Sequence, residues 1–120
     1  MGVSAGLRIL SDAATLVGRG WCRHADARAA DGAEIEPWDA RATSWSLLGA
    51  IVAVLEQTAR ESAEVPLDEL AAALHALADV IDEDSLADWN DAPGRTQAEV
   101  VATLAAAEQR FEPPWLFSEN

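Results

Sequence analysis

Residues 66–81 read PLDELAAALHALADVI, and their large apolar side chains recur at intervals of three and four. The stripe consists of Leu67, Leu70, Leu74, Leu77 and Ile81. Residues spaced in this way share one face of an α-helix, so the stretch predicts an amphipathic helix that begins at Pro66. The same spacing recurs on both sides of this stretch, which extends the helical prediction to most of the chain.

Two helices are predicted upstream. The first covers roughly residues 4–17 and ends before Gly18 and Gly20. The second contains the run LLGAIVAVL at residues 47–55 and extends to about Arg60. It is apolar almost all round, which is typical of the buried central helix of a domain. Its candidate N-caps are Asp39 and, as weaker choices, Thr43 and Ser44.

A short helix, a turn and a long helix are predicted downstream. The short helix covers residues 85–90, and the turn covers residues 91–95 with the sequence DAPGR. Thr96 and Glu99 match a capping box, in which each side chain accepts the free backbone N–H of the other residue. This motif starts a last helix that ends near Glu112.

Residues 18–38 show no regular spacing and are predicted to form a long loop with a turn at Asp31-Gly32. The tail 113–120 is apolar enough to pack back onto the helices. The chain is therefore predicted to be a single domain, residues 1–120. Its fold class is all-α, a compact bundle of four main helices plus a short helix, with a long loop after the first helix.

The charge of the chain restricts its partners. The 120 residues include 21 acidic and 8 basic side chains, which gives a formal net charge of −13, and every basic residue is Arg. Nucleic-acid backbones and anionic membranes are bound through cationic side chains, so no nucleic acid and no membrane is expected as a partner. A basic or amphipathic protein or peptide is favoured instead. The leucine stripe and the tail are candidate surfaces for a homodimer.

The location of the protein follows from what the sequence lacks. Its longest apolar run has nine residues, whereas a membrane span needs roughly twenty. The N-terminus has no basic start followed by a long apolar stretch, and the single cysteine excludes an internal disulfide. We therefore expect a cytoplasmic protein.

Catalytic and metal sites find little support. Cys22 and His24 are suitable ligand types, but a structural zinc site usually needs four ligands and the chain has one Cys and two His. A Cys22 nucleophile would require a base and an oxyanion site that no motif indicates. We expect no metal, no cofactor and no catalytic residue.

Tryptophans and one polar cluster supply the candidate binding residues. Of the five Trp, Trp45 lies on an apolar helix stripe and the other four lie near helix ends or in loops: Trp21, Trp38, Trp89 and Trp115. The polar cluster is Trp89-Asn90-Asp91 with Arg95, where Asp91 and Arg95 could form an ion pair across the turn. The cluster either fixes the angle between two helices or binds an anion through Arg95 beside Trp89. The candidates for ligand or partner binding are Trp21, Cys22, Trp45, Trp89, Asn90, Asp91 and Arg95.

Three motifs together resemble a small bacterial family of unknown function that also occurs in phage-related settings. They are GWC at residues 20–22, WxLLGA at residues 45–50 and WND-x3-RT-x2-EV at residues 89–100, and the resemblance covers roughly residues 5–108. Members of that family often carry a second Cys where this chain has Ser46, which removes a two-cysteine role here. The resemblance implies an all-α fold and one shared constellation of Trp21, Trp45, Trp89 and Arg95, and it transfers no activity.

Three functions are compatible with these patterns. The favoured one is a non-enzymatic accessory module that binds a protein or peptide. The alternative is a small-molecule or small enzyme site between the first loop and the Trp89–Arg95 turn, which requires the candidate residues to converge on a cavity. The third is a nucleic-acid mimic, which requires surface carboxylates in rows at phosphate spacing.

Overall fold

A computed structural model describes residues 4–62 and 66–114. Within these ranges the order of elements is α1 (Ala5–Arg19), β1 (Ala27–Ala29), β2 (Ala42–Trp45), α2 (Leu47–Ser62), α3 (Leu67–Val80), α4 (Leu86–Asp91) and α5 (Gln97–Arg110). The mostly helical fold with four long helices and one short helix is confirmed. The two strands correct the all-α prediction.

The helix at the centre of the fold is α1, which packs against α2, α3, α5 and β2. Its buried face carries Ile9, Leu10, Ala13 and Val17. The prediction that the second helix is central is wrong, because α2 packs mainly against α1, β2 and the short α4. The apolar residues on the other side of α2 are only half-buried: Leu48, Val52 and Leu55.

Helix α3 buries a face that differs from the leucine stripe. Its fully buried side chains are Ala73, Ala76 and Leu77, whereas Leu67 is 72% exposed and Leu74 is 38% exposed. Small side chains leave room for α1 and α5, the helices against which α3 packs. The stripe is therefore split between the core and the surface.

The region predicted to be a loop contains a small antiparallel sheet. Ala27 of β1 pairs with Trp45 of β2, and the register shifts at a bulge after Arg28. The predicted turn at Asp31-Gly32 is confirmed, because Gly32 has a φ of +89° and donates its N–H to the carbonyl oxygen of Ala29. Residues 20–22 lie parallel to the end of β2.

The N-terminus of α2 lies further along the chain than predicted. Ser46 is its cap, and the Ser46 hydroxyl accepts the backbone N–H of Gly49 at 3.0 Å. The predicted caps Thr43 and Ser44 belong to β2, and Asp39 lies in a turn before that strand. The Thr96–Glu99 capping box at the start of α5 is confirmed.

In the ranges that the structure describes, no helix combines the length and the apolar character needed to cross a membrane. The predicted packing of the C-terminal tail onto the body concerns residues 115–120, including Trp115, which lie outside the described ranges.

Candidate functional site

Asn90 is fully buried in α4, and both ends of its amide group are hydrogen-bonded. Its Oδ1 accepts the indole N–H of Trp21 at 2.8 Å and the backbone N–H of Leu47 at 3.0 Å. Its Nδ2 donates to the carbonyl oxygen of Cys22 and to Oδ1 of Asp91, each over 3.1 Å. An amide side chain has two donors and two lone pairs, so Asn90 has no capacity left for a ligand.

Cys22 is held in the same place by its backbone. Its N–H donates to the carbonyl oxygen of Trp45, and the N–H of Trp45 donates to the carbonyl oxygen of Gly20. Cys22 is 8% exposed, and burial raises the pKa of its thiol, partly offset by a hydrogen bond with Ser44. A nucleophilic cysteine requires a lowered pKa, so this environment opposes thiolate chemistry.

Asp91 connects α4 to the segment that follows α1. Its Oδ1 accepts the backbone N–H of His24 at 2.9 Å, and its Oδ2 lies 3.5 Å from His24 Nδ1. Arg23 donates to the carbonyl oxygens of Asp91 and Ala92, both at 2.8 Å. Burial alone would raise the pKa of Asp91, but the hydrogen bonds from His24 and Asn90 hold it below its ordinary value.

Arg95 forms its contacts within its own turn and helix. Its guanidinium lies over the ring of Trp89, 3.9 Å from the ring centre, and its Nε donates to the Trp89 carbonyl oxygen at 2.9 Å. It also lies 3.7 Å from a carboxylate oxygen of Glu99. The predicted ion pair between Asp91 and Arg95 is wrong, because each residue has a different ionic partner.

The seven predicted binding residues therefore lie in one region, where they bond to one another and to nearby backbone. A cleft of about 390 Å³ does lie between the first loop and α4. It is lined by His24, Ala25, Asp26, Ser46, Ala87 and Asp91. Of the seven candidates only Asp91 faces this cleft.

A second cleft, of about 370 Å³, lies between α2 and the turn before β2. We call it the Trp38 cleft, and its lining residues are Leu16, Pro37, Trp38, Asp39, Trp45, Ala53, Glu56, Gln57 and Arg60. Trp38 is 43% exposed, whereas Trp45 is 8% exposed. Among the predicted site residues Trp45 alone lines this cleft.

The turn that carries Trp38 is fixed by several hydrogen bonds. The buried indole N–H of Trp45 donates to the Pro37 carbonyl oxygen at 3.0 Å, and the Asp39 N–H donates to the Glu36 carbonyl oxygen at 3.0 Å. The Asp39 carboxylate also accepts three hydrogen bonds from Arg41: one from its backbone N–H, one from Nε and one from Nη2. This pairing lowers the pKa of Asp39 to about 2.

Trp38 is not among the binding residues predicted from the sequence. The available signal was its neighbourhood, because Trp38 lies between the acids Glu36 and Asp39. A tryptophan flanked by charged residues is held near the surface with them.

The described part of the chain contains no group of three or more His, Cys, Asp or Glu residues placed to hold a metal ion.

Comparison with known proteins identifies one family. The model of a family described as "Family of unknown function (DUF6197)" matches residues 4–110. The comparisons with curated proteins and with solved structures gave no match. The match spans nearly the whole chain and includes the GWC, WxLLGA and WND-x3-RT-x2-EV segments, so the protein belongs to the DUF6197 family of unknown function.

Proposed function

We propose that this protein is a non-enzymatic module that binds a basic segment of another protein. The observation that carries the proposal is the small number of acidic side chains that form ion pairs. In the described ranges, only four carboxylates have an Arg or His within ion-pair distance: Asp39, Glu56, Asp91 and Glu99. The remaining acidic side chains give the surface a strong negative potential.

Most of the arginines have hydrogen-bond partners within the chain, although Arg41 and Arg60 are exposed. Five of them donate hydrogen bonds to other residues of this chain: Arg23, Arg28, Arg41, Arg60 and Arg95. These hydrogen bonds leave the charge of the arginines intact, and the eight basic residues still leave a formal net charge of −13. The segment 79–88 illustrates the result, because its five exposed acids form no ion pair there: Asp79, Asp82, Glu83, Asp84 and Asp88.

A surface of this kind attracts cationic partners and accelerates their association, and salt screens the attraction. Two of the predicted site residues lend no support to the catalytic alternative. Asn90 is saturated by internal hydrogen bonds, and burial raises the pKa of Cys22. Neither residue is placed as a catalytic group would be.

Isothermal titration calorimetry with three capped peptides tests the proposal. Each peptide has about nine residues in which glycine alternates with arginine, glutamate or serine. We expect only the arginine peptide to bind at about 50 mM salt, with a loss of affinity of about tenfold or more at about 500 mM salt. No binding of the arginine peptide at low salt, or an affinity independent of salt, would overturn the proposal.

A charge-reduced variant provides the matched comparison. Asp82→Asn, Glu83→Gln and Asp84→Asn together remove three exposed charges that have no ionic partner within the described ranges. The triple variant should remain folded and should bind the arginine peptide more weakly. Unchanged binding would show that this acidic segment takes no part.

A further inference from the structure

We propose that the Trp38 cleft binds an arginine side chain of the basic partner segment. The inference rests on the proposed function and specifies a site for it. Its basis is the combination of an exposed indole ring, a fixed turn and carboxylates beside the ring. Each of these three features contributes separately to recognition of a guanidinium.

Trp38 presents an exposed indole from a backbone turn that is fixed by hydrogen bonds. Trp45 anchors the preceding Pro37 through a buried hydrogen bond, and the turn is closed from Glu36 to Asp39. Pro37 itself is buried. Because this backbone is already fixed, ordering the turn costs little conformational entropy on binding, and tryptophan is among the residue types that dominate binding energy at interfaces.

The other half-exposed tryptophans already carry an arginine from this chain. Arg95 lies 3.9 Å from the ring centre of Trp89 with Glu99 beside it, and Arg23 lies 5.9 Å from the ring centre of Trp21. Within the described ranges no cation lies over Trp38, although it is more exposed than either ring. The Trp38 cleft therefore offers the same kind of ring to a guanidinium from outside.

Carboxylates accompany this ring as Glu99 accompanies Trp89. Glu56 lines the cleft on α2 and Asp39 lines it on the turn, and each is ion-paired within the chain, with Arg60 and Arg41 respectively. The exposed Glu56–Arg60 pair is of a kind worth about 0.5 kcal/mol, so a guanidinium stacked on Trp38 can compete for Glu56.

Arginine is favoured over lysine by the geometry of its head group. A guanidinium is planar, so it can stack on an indole face and still offer two parallel N–H groups to a carboxylate. An ammonium group is a strongly hydrated point charge that lacks this shape. The Trp38 cleft should therefore prefer arginine to lysine at equal charge.

Calorimetry with the arginine peptide, its lysine counterpart and its uncharged citrulline counterpart tests the inference. Trp38→Ala should weaken binding of the arginine peptide by about fivefold to thirtyfold and abolish the preference over lysine. Trp38→Phe should show an intermediate loss, because a benzene ring binds cations less strongly than an indole. Glu56→Gln should weaken binding by a smaller factor.

Leu67→Ala is the control, because Leu67 is the most exposed large apolar residue of the described chain and lies on α3, away from this cleft. The Leu67→Ala variant should bind the arginine peptide with the same affinity as the unchanged protein. Neither substitution at Trp38 alters the net charge, so the salt dependence of the residual binding should persist.

The outcomes separate the two proposals. If the arginine peptide binds in a salt-dependent manner but Trp38→Ala binds it equally well, the cleft assignment is wrong and the proposed function stands. The cleft assignment is also wrong if arginine and lysine peptides bind alike. If the unchanged protein binds no basic peptide, both proposals fail.

Discussion

The indole N–H of Trp21 donates to the Oδ1 of Asn90 over 2.8 Å, although 69 positions separate the two residues in the sequence. The same oxygen accepts the backbone N–H of Leu47 at the start of α2. A single buried amide therefore joins the segment after α1, the N-terminus of α2 and the short α4. This arrangement brings together Trp21, Cys22, Asn90 and Asp91, four of the predicted binding residues.

Replacing Asn90 tests how much this connection stabilises the fold. Asn90→Leu leaves the Trp21 N–H, the Leu47 N–H and the Cys22 carbonyl oxygen without their partner. A buried polar group without a partner costs about 1–3 kcal/mol, so we expect a loss of about 3–5 kcal/mol in the free energy of unfolding. Urea denaturation measures the change.

Gln109→Leu is the matched control for Asn90→Leu, because Gln109 is an exposed amide on α5. It should change the free energy of unfolding by less than about 0.5 kcal/mol. Equal effects of the two substitutions would contradict the role assigned to Asn90.

Two glycines should respond to alanine in opposite directions. A Cβ at Gly49 would overlap the backbone carbonyl oxygen of Asp26, so Gly49→Ala should destabilise the protein by about 2 kcal/mol despite its better helix propensity. A Cβ at Gly18 meets nothing within 4 Å, so Gly18→Ala should stabilise α1 by about 0.5–1 kcal/mol. Thermal and urea denaturation of both variants would reveal whether the signs differ.

The carboxyl group of Asp39 should titrate with a pKa of about 2, because Arg41 hydrogen-bonds to its ionised form. Since this pKa lies below that of the unfolded chain, the stabilising contribution is complete above about pH 4 and is lost as the pH falls towards 2. Carboxyl ¹³C NMR measures the midpoint. Arg41→Gln should raise the midpoint towards the ordinary range, short of it because the backbone N–H of residue 41 still donates to Asp39, and an unchanged midpoint would count against the side-chain pair.

The thiol of Cys22 should react slowly with iodoacetamide at neutral pH. Burial limits access and raises the pKa, so less thiolate is present in the folded protein than in a free peptide. We expect alkylation to be about tenfold slower than in the urea-unfolded chain. Because the pKa of the thiol is higher in the folded than in the unfolded protein, the free energy of unfolding should fall as the pH rises above the ordinary pKa of a cysteine thiol. Equal alkylation rates in the two states would contradict the buried placement.

The sequence predicted the helices because their evidence is local. The apolar spacing of α1 and the Thr96–Glu99 capping box are each defined by residues that lie close together in the sequence. Neither pattern depends on distant contacts. The strands escaped prediction because β1 reads ARA and β2 reads ATSW, and alanine has little preference for strands. Their formation depends on long-range contacts, such as the bond between the Trp45 N–H and the Gly20 carbonyl oxygen.

The candidate site shows the same division. The sequence placed Trp89, Asn90 and Arg95 next to one another, but it contained no sign that Asn90 would bond to Trp21 and Cys22. The hydrogen bonds of Asn90 distinguish a cluster that connects helices from one that binds a ligand, because all of them go to partners within the chain. The sequence does not single out Trp38 among the tryptophans, because its exposure and its proximity to Glu56 depend on the fold.

The bonds of Asn90 also bear on the order in which the protein acquires its structure during synthesis. Residues 4–62 leave the ribosome before Asn90, and α1 still lacks α5, against which it packs. Before Asn90 is available, the Trp21 indole N–H and the first backbone N–H of α2 have only water as a partner. Before α5 is available, part of the apolar face of α1 remains uncovered. The N-terminal half therefore completes its packing only once α5 is available, so a chain truncated before α5 should expose the apolar face of α1 and be prone to aggregation.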